Sequence, residues 1–181
     1  NVIGTTGSDS VSIGSPRDTS YGGHQGAYVW NLGNGNDEFW ARTKSIDIID
    51  MGSGNDRAGI YVLSGQAINP HSLAKLDGGA GIDTLDFGGS GYGEVGATLT
   101  LTTRGATNFE NLGGTAVKET LQGDSSDNII YGGDGADTIY GYDGNDTLLG
   151  KGYRDAAMVA QGNEYSDGQH DSANNILYGG V

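Results

Sequence analysis

A nine-residue period runs through the chain from residue 114 to residue 155. The units 114–122, 123–131, 132–140 and 141–149 each open on glycine, and another starts at Gly150. Their eighth place is Leu121, Ile130, Ile139 and Leu148; their sixth is Glu119, Asn128, Asp137 and Asp146, followed by Asp155. The pattern is G-G-x-G-x-D-x-U-x, with U a large apolar residue, and GGDGADTIY and GYDGNDTLL keep it best. A period this short accommodates one tight corner and one three-residue strand. Glycine permits positive φ, so the corner can aim its carbonyl oxygens inward, and the aspartate adds a charged oxygen at the same point. A strand with one apolar residue buries too little alone, so the units must stack as a parallel β-solenoid.

Single units of the same kind occur earlier, at 4–12, 32–40, 51–59 and 78–86, and each places an aspartate sixth: Asp9, Asp37, Asp56 and Asp83. Ordinary Asp-Gly and Asn-Gly turns explain any one match, but not the shared register. Composition points the same way. There are 35 glycines and no cysteine, and the acids are 18 Asp against 5 Glu, beside 13 Asn. Asp and Asn next to Gly suit turns and hard cations. The net charge of −14 destabilises a compact metal-free state and repels phosphate backbones, so a nucleic-acid partner is excluded. Without disulfides or a thick core the fold needs another staple, and calcium fits. The expected metal ligands are Asp9, Asp37, Asp56, Asp83, Asp137, Asp146 and Asp155, with the corner glycines Gly132, Gly135, Gly141 and Gly144.

With these nonads the chain resembles the RTX (repeats-in-toxin) family. The resemblance implies a calcium-bound β-roll with two nonads per turn, so that corners one turn apart share ions: that of Asp137 with that of Asp155, and that of Asn128 with that of Asp146. Glu119 and Asn128 stand where the family pattern has Asp. The expected fold is therefore all-β, a parallel β-solenoid array with additional irregular β structure and an inserted loop. Strand-like runs at 27–30, 46–50, 59–63 and 97–102 are expected around or beside the solenoid, and one helical turn near 69–75. The whole, 1–181, reads as one module within a longer chain: a β-rich part at 1–113 and an array at 114–181, interrupted at 151–170.

That interruption is the expected binding loop. DSANNILYGG at 171–180 closely repeats DSSDNIIYGG at 124–133, offset by 47 residues where five nonads give 45, so 151–170 departs from the plain repeat. Insertions in solenoids project from one face and often bind. A second candidate is the stretch 15–30, with Arg17, Tyr21, His24 and Trp30; Trp30 and Trp40 could offer a sugar platform, although aromatics at strand spacing more often pack.

No catalytic motif occurs: there is no G-x-S-x-G, H-E-x-x-H or Walker loop, so no enzyme is expected in this segment. No apolar run approaches the length of a membrane span. The chain is similar to ligand-binding modules of secreted bacterial RTX adhesins that attach to other cells. That similarity implies an extracellular module, monomeric within its parent chain, that captures the C-terminus of a peptide on a target surface protein, with a partly open calcium taking the terminal carboxylate. The implied site lies under the interruption: Asp155 with Gln161, Gly162 and Asn163 near the ion, Arg154 as a second anion contact, and Tyr153 and Tyr165 as walls. A calcium-rigidified spacer and a glycan-binding module are the rival readings.

Overall fold

The computed structural model describes residues 2–13, 29–41, 47–60, 74–88, 95–150, 165–166 and 176–178. Every strand pairing in it is parallel, and the strands form three sheets. The longest has eight strands: β2 (Ser10–Ile13), β4 (Glu38–Ala41), β6 (Arg57–Ile60), β8 (Thr84–Asp86), β11 (Asn111–Gly113), β13 (Ile129–Tyr131), β15 (Thr147–Leu149) and β16 (Tyr165–Ser166). A five-stranded sheet contains β1 (Val2–Ile3), β3 (Val29–Asn31), β5 (Ile48–Asp50), β7 (Lys75–Asp77) and β10 (Ala106–Thr107). A four-stranded sheet contains β9 (Thr98–Thr100), β12 (Thr120–Gln122), β14 (Thr138–Tyr140) and β17 (Ile176–Tyr178).

From β1 to β15 the chain leaves the eight-stranded sheet for one of the other two, or for both in turn between β8 and β11, and returns to it to pair with its own previous turn. The pairing distance records the length of each turn. Ser10 pairs with Glu38, Glu38 with Arg57, Arg57 with Thr84 and Thr84 with Asn111, steps of 28, 19, 27 and 27 residues. From there Leu112 pairs with Ile130 and Ile129 with Thr147, both 18 apart, as two nonads per turn require. This is the arrangement of a β-roll in the array, extended toward the N-terminus by longer turns. The runs expected around or beside the solenoid are its own strands: β3 and β5 lie in the five-stranded sheet, β9 opens the four-stranded one, and the run at 59–63 starts in β6 of the long sheet, with 61–63 outside the described residues. Of the helical turn expected near 69–75, residues 69–73 lie outside the described residues, and Lys75 begins β7. A 3₁₀ turn occurs instead at Thr103–Gly105, where one turn passes from β9 to β10 and so from one facing sheet to the other.

From β3 to β15 the short strands turn an apolar residue inward, and these residues form one cluster. Phe39, Ala58, Leu85, Leu112, Ile130 and Leu148 line the long sheet; Trp30, Ile49, Leu76 and Ala106, then Leu99, Leu121 and Ile139, line the facing ones, and all are buried. Trp30 packs against Phe39 with the rings tilted at 59° and their centroids 5.3 Å apart. One fully buried side chain of this size contributes about 1.5–3 kcal/mol. A core one residue wide on each face holds only because neighbouring turns close it. Two of the early corners thicken it: Leu32 and Met51 occupy the place where the later units have their first glycine, and both are fully buried.

Candidate metal centre

The sixth residues of the stacked corners form a ladder along one edge, tied rung to rung by hydrogen bonds. The Asp9 backbone N–H donates to Asp37 Oδ1 (2.7 Å), that of Asp37 to Asp56 Oδ1 (2.7 Å) and that of Asp56 to Asp83 Oδ1 (2.8 Å). Asp83 N–H then donates to Glu110 Oε2 (2.8 Å), and Asn128 N–H to Asp146 Oδ1 (3.0 Å). On the opposite edge Glu119 N–H donates to Asp137 Oδ1 (2.9 Å). The four scattered nonads thus belong to the same stack as the array, and Asn128 faces Asp146 one turn on, as the resemblance implies. Asp155, the expected partner of Asp137, lies outside the described residues.

A second ladder, at the fifth position, runs the other way. Asn55 N–H donates back to Asn36 Oδ1 (2.9 Å) and Ile82 N–H to Asn55 Oδ1 (3.1 Å). The corner backbones also pair directly, Ser53 with Asn34 and with Ala80. Glycine is required by this close stacking. Gly54 has φ +137°, and a Cβ there would collide with the Gly35 carbonyl oxygen of the preceding turn.

Asp37, Asp56, Asp83 and Asp146 thereby use one carboxylate oxygen and keep the other. Oδ2 of Asp37, Asp56, Asp83 and Asp146 is buried without a hydrogen-bond partner, a costly state for a charged oxygen. Burial raises the pKa of all four; the preceding carboxylate along the ladder adds to this for Asp37 (from Asp9) and Asp56 (from Asp37), while Asp127, Asp124 and Asp143 add to it at Asp146. Asp83, with Asp56, Glu110 and Asp77 around it, is pushed to about 6, desolvation being the largest cause. Beside Asp146 the space around Oδ2 exists because Gly141 has no side chain: a Cβ there would collide with it. Buried, orphaned carboxylate oxygens of one sign, stacked beside backbone carbonyls, form a donor set suited to a hard divalent cation of the calcium type, which accepts about 6–8 oxygens. Among the described residues no three side chains of His, Asp or Glu converge on one point. Each turn offers one carboxylate, and the backbone would supply the remainder.

The expected ligands Asp37, Asp56, Asp83 and Asp146 have this geometry. Asp9 differs: its Oδ2 accepts the Thr5 N–H of its own corner (2.6 Å). Gly135 and Gly144 take positive φ, +128° and +112°, at the corner positions expected of them, and Gly132 places its missing side chain against Asp137 Oδ2 at 2.5 Å, as Gly141 does against Asp146. Of the expected ligand-binding residues, Tyr153, Arg154, Asp155, Gln161, Gly162 and Asn163 lie outside the described residues. Tyr165 is in β16, in register with Leu148.

Sequence reasoning missed the cluster on the outer face of the long sheet. Arg57 Nε donates to Asp86 Oδ2 (2.9 Å), with Nη2 on the same oxygen, and its guanidinium lies 4.8 Å from the Trp40 ring centroid. Trp40 Nε1 donates to Glu38 Oε1 (2.7 Å), and the indole lies against Gly59, whose missing side chain makes room for it. Trp30 is core and Trp40 is engaged by Arg57, so the observation that would favour a glycan platform is missing.

With the ladder in view, one comparison with known proteins is informative. Residues 113–150 match the RTX calcium-binding nonapeptide repeat, in four copies. No curated protein and no solved structure matches the chain. The chain thus carries a calcium-binding RTX module, of a repeat type typical of secreted proteins. Among the described residues no helix is long and apolar enough to cross a membrane.

Proposed function

We propose that this RTX module is a non-enzymatic, calcium-dependent binding unit of a secreted adhesin, and that it captures the free C-terminus of a peptide on another cell's surface. The observation that carries the reading is the unequal length of the turns. Within the array, paired strands of the long sheet lie 18 residues apart, whereas along β2, β4, β6, β8 and β11 the steps are 28, 19, 27 and 27 residues. The sequence from 151 to 170 likewise departs from the plain repeat. Length added to a regular solenoid repeat often carries binding.

Calcium, when bound, supplies the positive charge that lets a strongly acidic module accept a carboxylate. The ladder's part is to fix the corner oxygens in position. In this reading Asp155, Gln161, Gly162 and Asn163 hold the exchangeable position, Arg154 adds a second anion contact, and Tyr153 and Tyr165 flank the peptide. The test is an array of short peptides with free or amidated C-termini, probed in millimolar calcium and in chelator. Binding confined to free C-termini in calcium is expected, with Asp155→Ala abolishing it while the fold persists. Equal binding of amidated peptides contradicts the reading, and no binding to either set leaves the spacer.

A further inference from the structure

The ladder changes character midway. From Asp37 to Asp83 every rung leaves a buried carboxylate oxygen without a partner, and Asp146 does so again. Between them stand Glu110, Asn128 and, on the opposite edge, Glu119; none of their side-chain atoms is a buried orphan. The chemistry at each of these residues differs from that of a cation ligand.

Asn128 Oδ1 accepts the Asp124 N–H (2.8 Å), while Nδ2 donates to the Glu110 carbonyl oxygen (2.8 Å). The opposite amide orientation would set oxygen against oxygen at Glu110 and N–H against N–H at Asp124, so the network fixes the assignment. The group facing the neighbouring corner's carbonyl is thus an NH₂, whose hydrogens occupy the place of a cation and repel one. At Glu119 the carboxylate folds back on its own corner, as that of Asp9 does: Oε2 accepts the Thr115 N–H (2.8 Å) and Oε1 the Thr115 hydroxyl. Around Glu110 the corner is also shorter. Only residues 108–110 join β10 to β11, where the corners of Asp56 and Asp83 have the G-x-G-x-D frame. Asn108 takes φ +56° there, and the Glu110 side chain accepts the Asp83 N–H, as a ladder aspartate would.

We propose that the turn carrying Glu110, Glu119 and Asn128 takes no calcium. It is a hydrogen-bonded seam that joins two calcium-bearing stretches, one ending at Asp83 and one beginning with Asp137 and Asp146. The side chains do there what the ion does elsewhere, which keeps the two stretches in register without a cation between them. This rests on the calcium reading of the ladder, and the test separates the two.

The direct experiment is anomalous scattering from crystals of the unaltered chain grown in calcium. Peaks are expected beside Asp37, Asp56, Asp83 and Asp146 and none beside Glu119 or between Asn128 and Glu110. A peak at either seam position overturns the proposal, while a map with no peaks anywhere refutes the calcium reading itself. Ion counting by native mass spectrometry gives a second readout. The double variant Glu119→Asp, Asn128→Asp restores the repeat pattern and is expected to hold at least one more calcium than the unaltered chain. A folded double variant with an unchanged count overturns the proposal.

Discussion

Asp37, Asp56, Asp83 and Asp146 divide their work between two oxygens, and the two can be separated by mutation. Asp56 Oδ1 accepts the Asp37 N–H, whereas Oδ2 is the orphan. Asp56→Asn keeps an acceptor for that N–H but removes the charge, so calcium-induced folding followed by circular dichroism is expected to need at least ~10-fold more calcium, with the ladder intact once saturated. Asp56→Ala also leaves a buried N–H unpaired, an added cost of ~1–3 kcal/mol in the melting of the saturated protein. Equal behaviour of the two variants contradicts this division. The sign of the pH dependence follows from Asp83. Its folded-state pKa, about 6, lies above its unfolded value, so the metal-free fold binds the extra proton and is stabilised as pH falls from 7.5 toward 5. Calcium competes with that proton, so its apparent affinity weakens over the same interval. Calcium titrations followed by circular dichroism should show weaker apparent affinity at pH 5 than at pH 7.5; equal or tighter binding at pH 5 refutes the assignment.

At the scale of the element, an inner corner and the first corner respond differently to one added methyl. Gly54 combines positive φ with a Cβ position occupied by the Gly35 carbonyl, so Gly54→Ala should lower stability by at least ~2 kcal/mol. Gly7 meets only the Thr5 hydroxyl at 3.9 Å, and Gly7→Ala should fall within ~0.5 kcal/mol of the parent by urea unfolding. The nonad corners, their three-residue strands and the inward Leu121, Ile130, Ile139 and Leu148 were all legible, because within a unit the period fixes which residue turns and which points inward. Relations between units of unequal length were not. Trp40, Gly59, Asp86 and Gly113 are lateral neighbours on the long sheet, yet the steps between them are 19, 27 and 27 residues, and no period announces them. The pairing of Arg57 with Asp86 therefore had no sequence signal. Leu32 and Met51 at a glycine position were visible as exceptions, but their role in filling the core shows only when the turns are stacked. Asp86 is buried and Arg57 partly so, and Asp86→Asn should cost ~2 kcal/mol, below the ~3–5 of a fully buried pair because Arg57 keeps some contact with water. A loss under ~0.5 kcal/mol would show that the pair is ornamental.

Across the whole molecule the eight-stranded sheet joins what the sequence divides. β11 pairs with β8 on one side and β13 on the other, so the β-rich part at 1–113 and the array beyond it share an unbroken sheet. What opposes this assembly is charge. Twenty-three acidic side chains against nine basic ones are gathered in a fold whose core is one residue wide on each face, and several of the acids are stacked and buried. Hydrophobic closure between turns and repulsion between rungs are opposed at every corner, and bound calcium settles the balance because it is held by the folded stack and not by the unfolded chain. The most direct test is small-angle scattering paired with far-UV circular dichroism on the unaltered chain, in millimolar calcium and in chelator. The account predicts a compact β-rich particle with calcium and an expanded chain that has lost most of its β signal without it. The same compact scattering profile and β signal in chelator would contradict it.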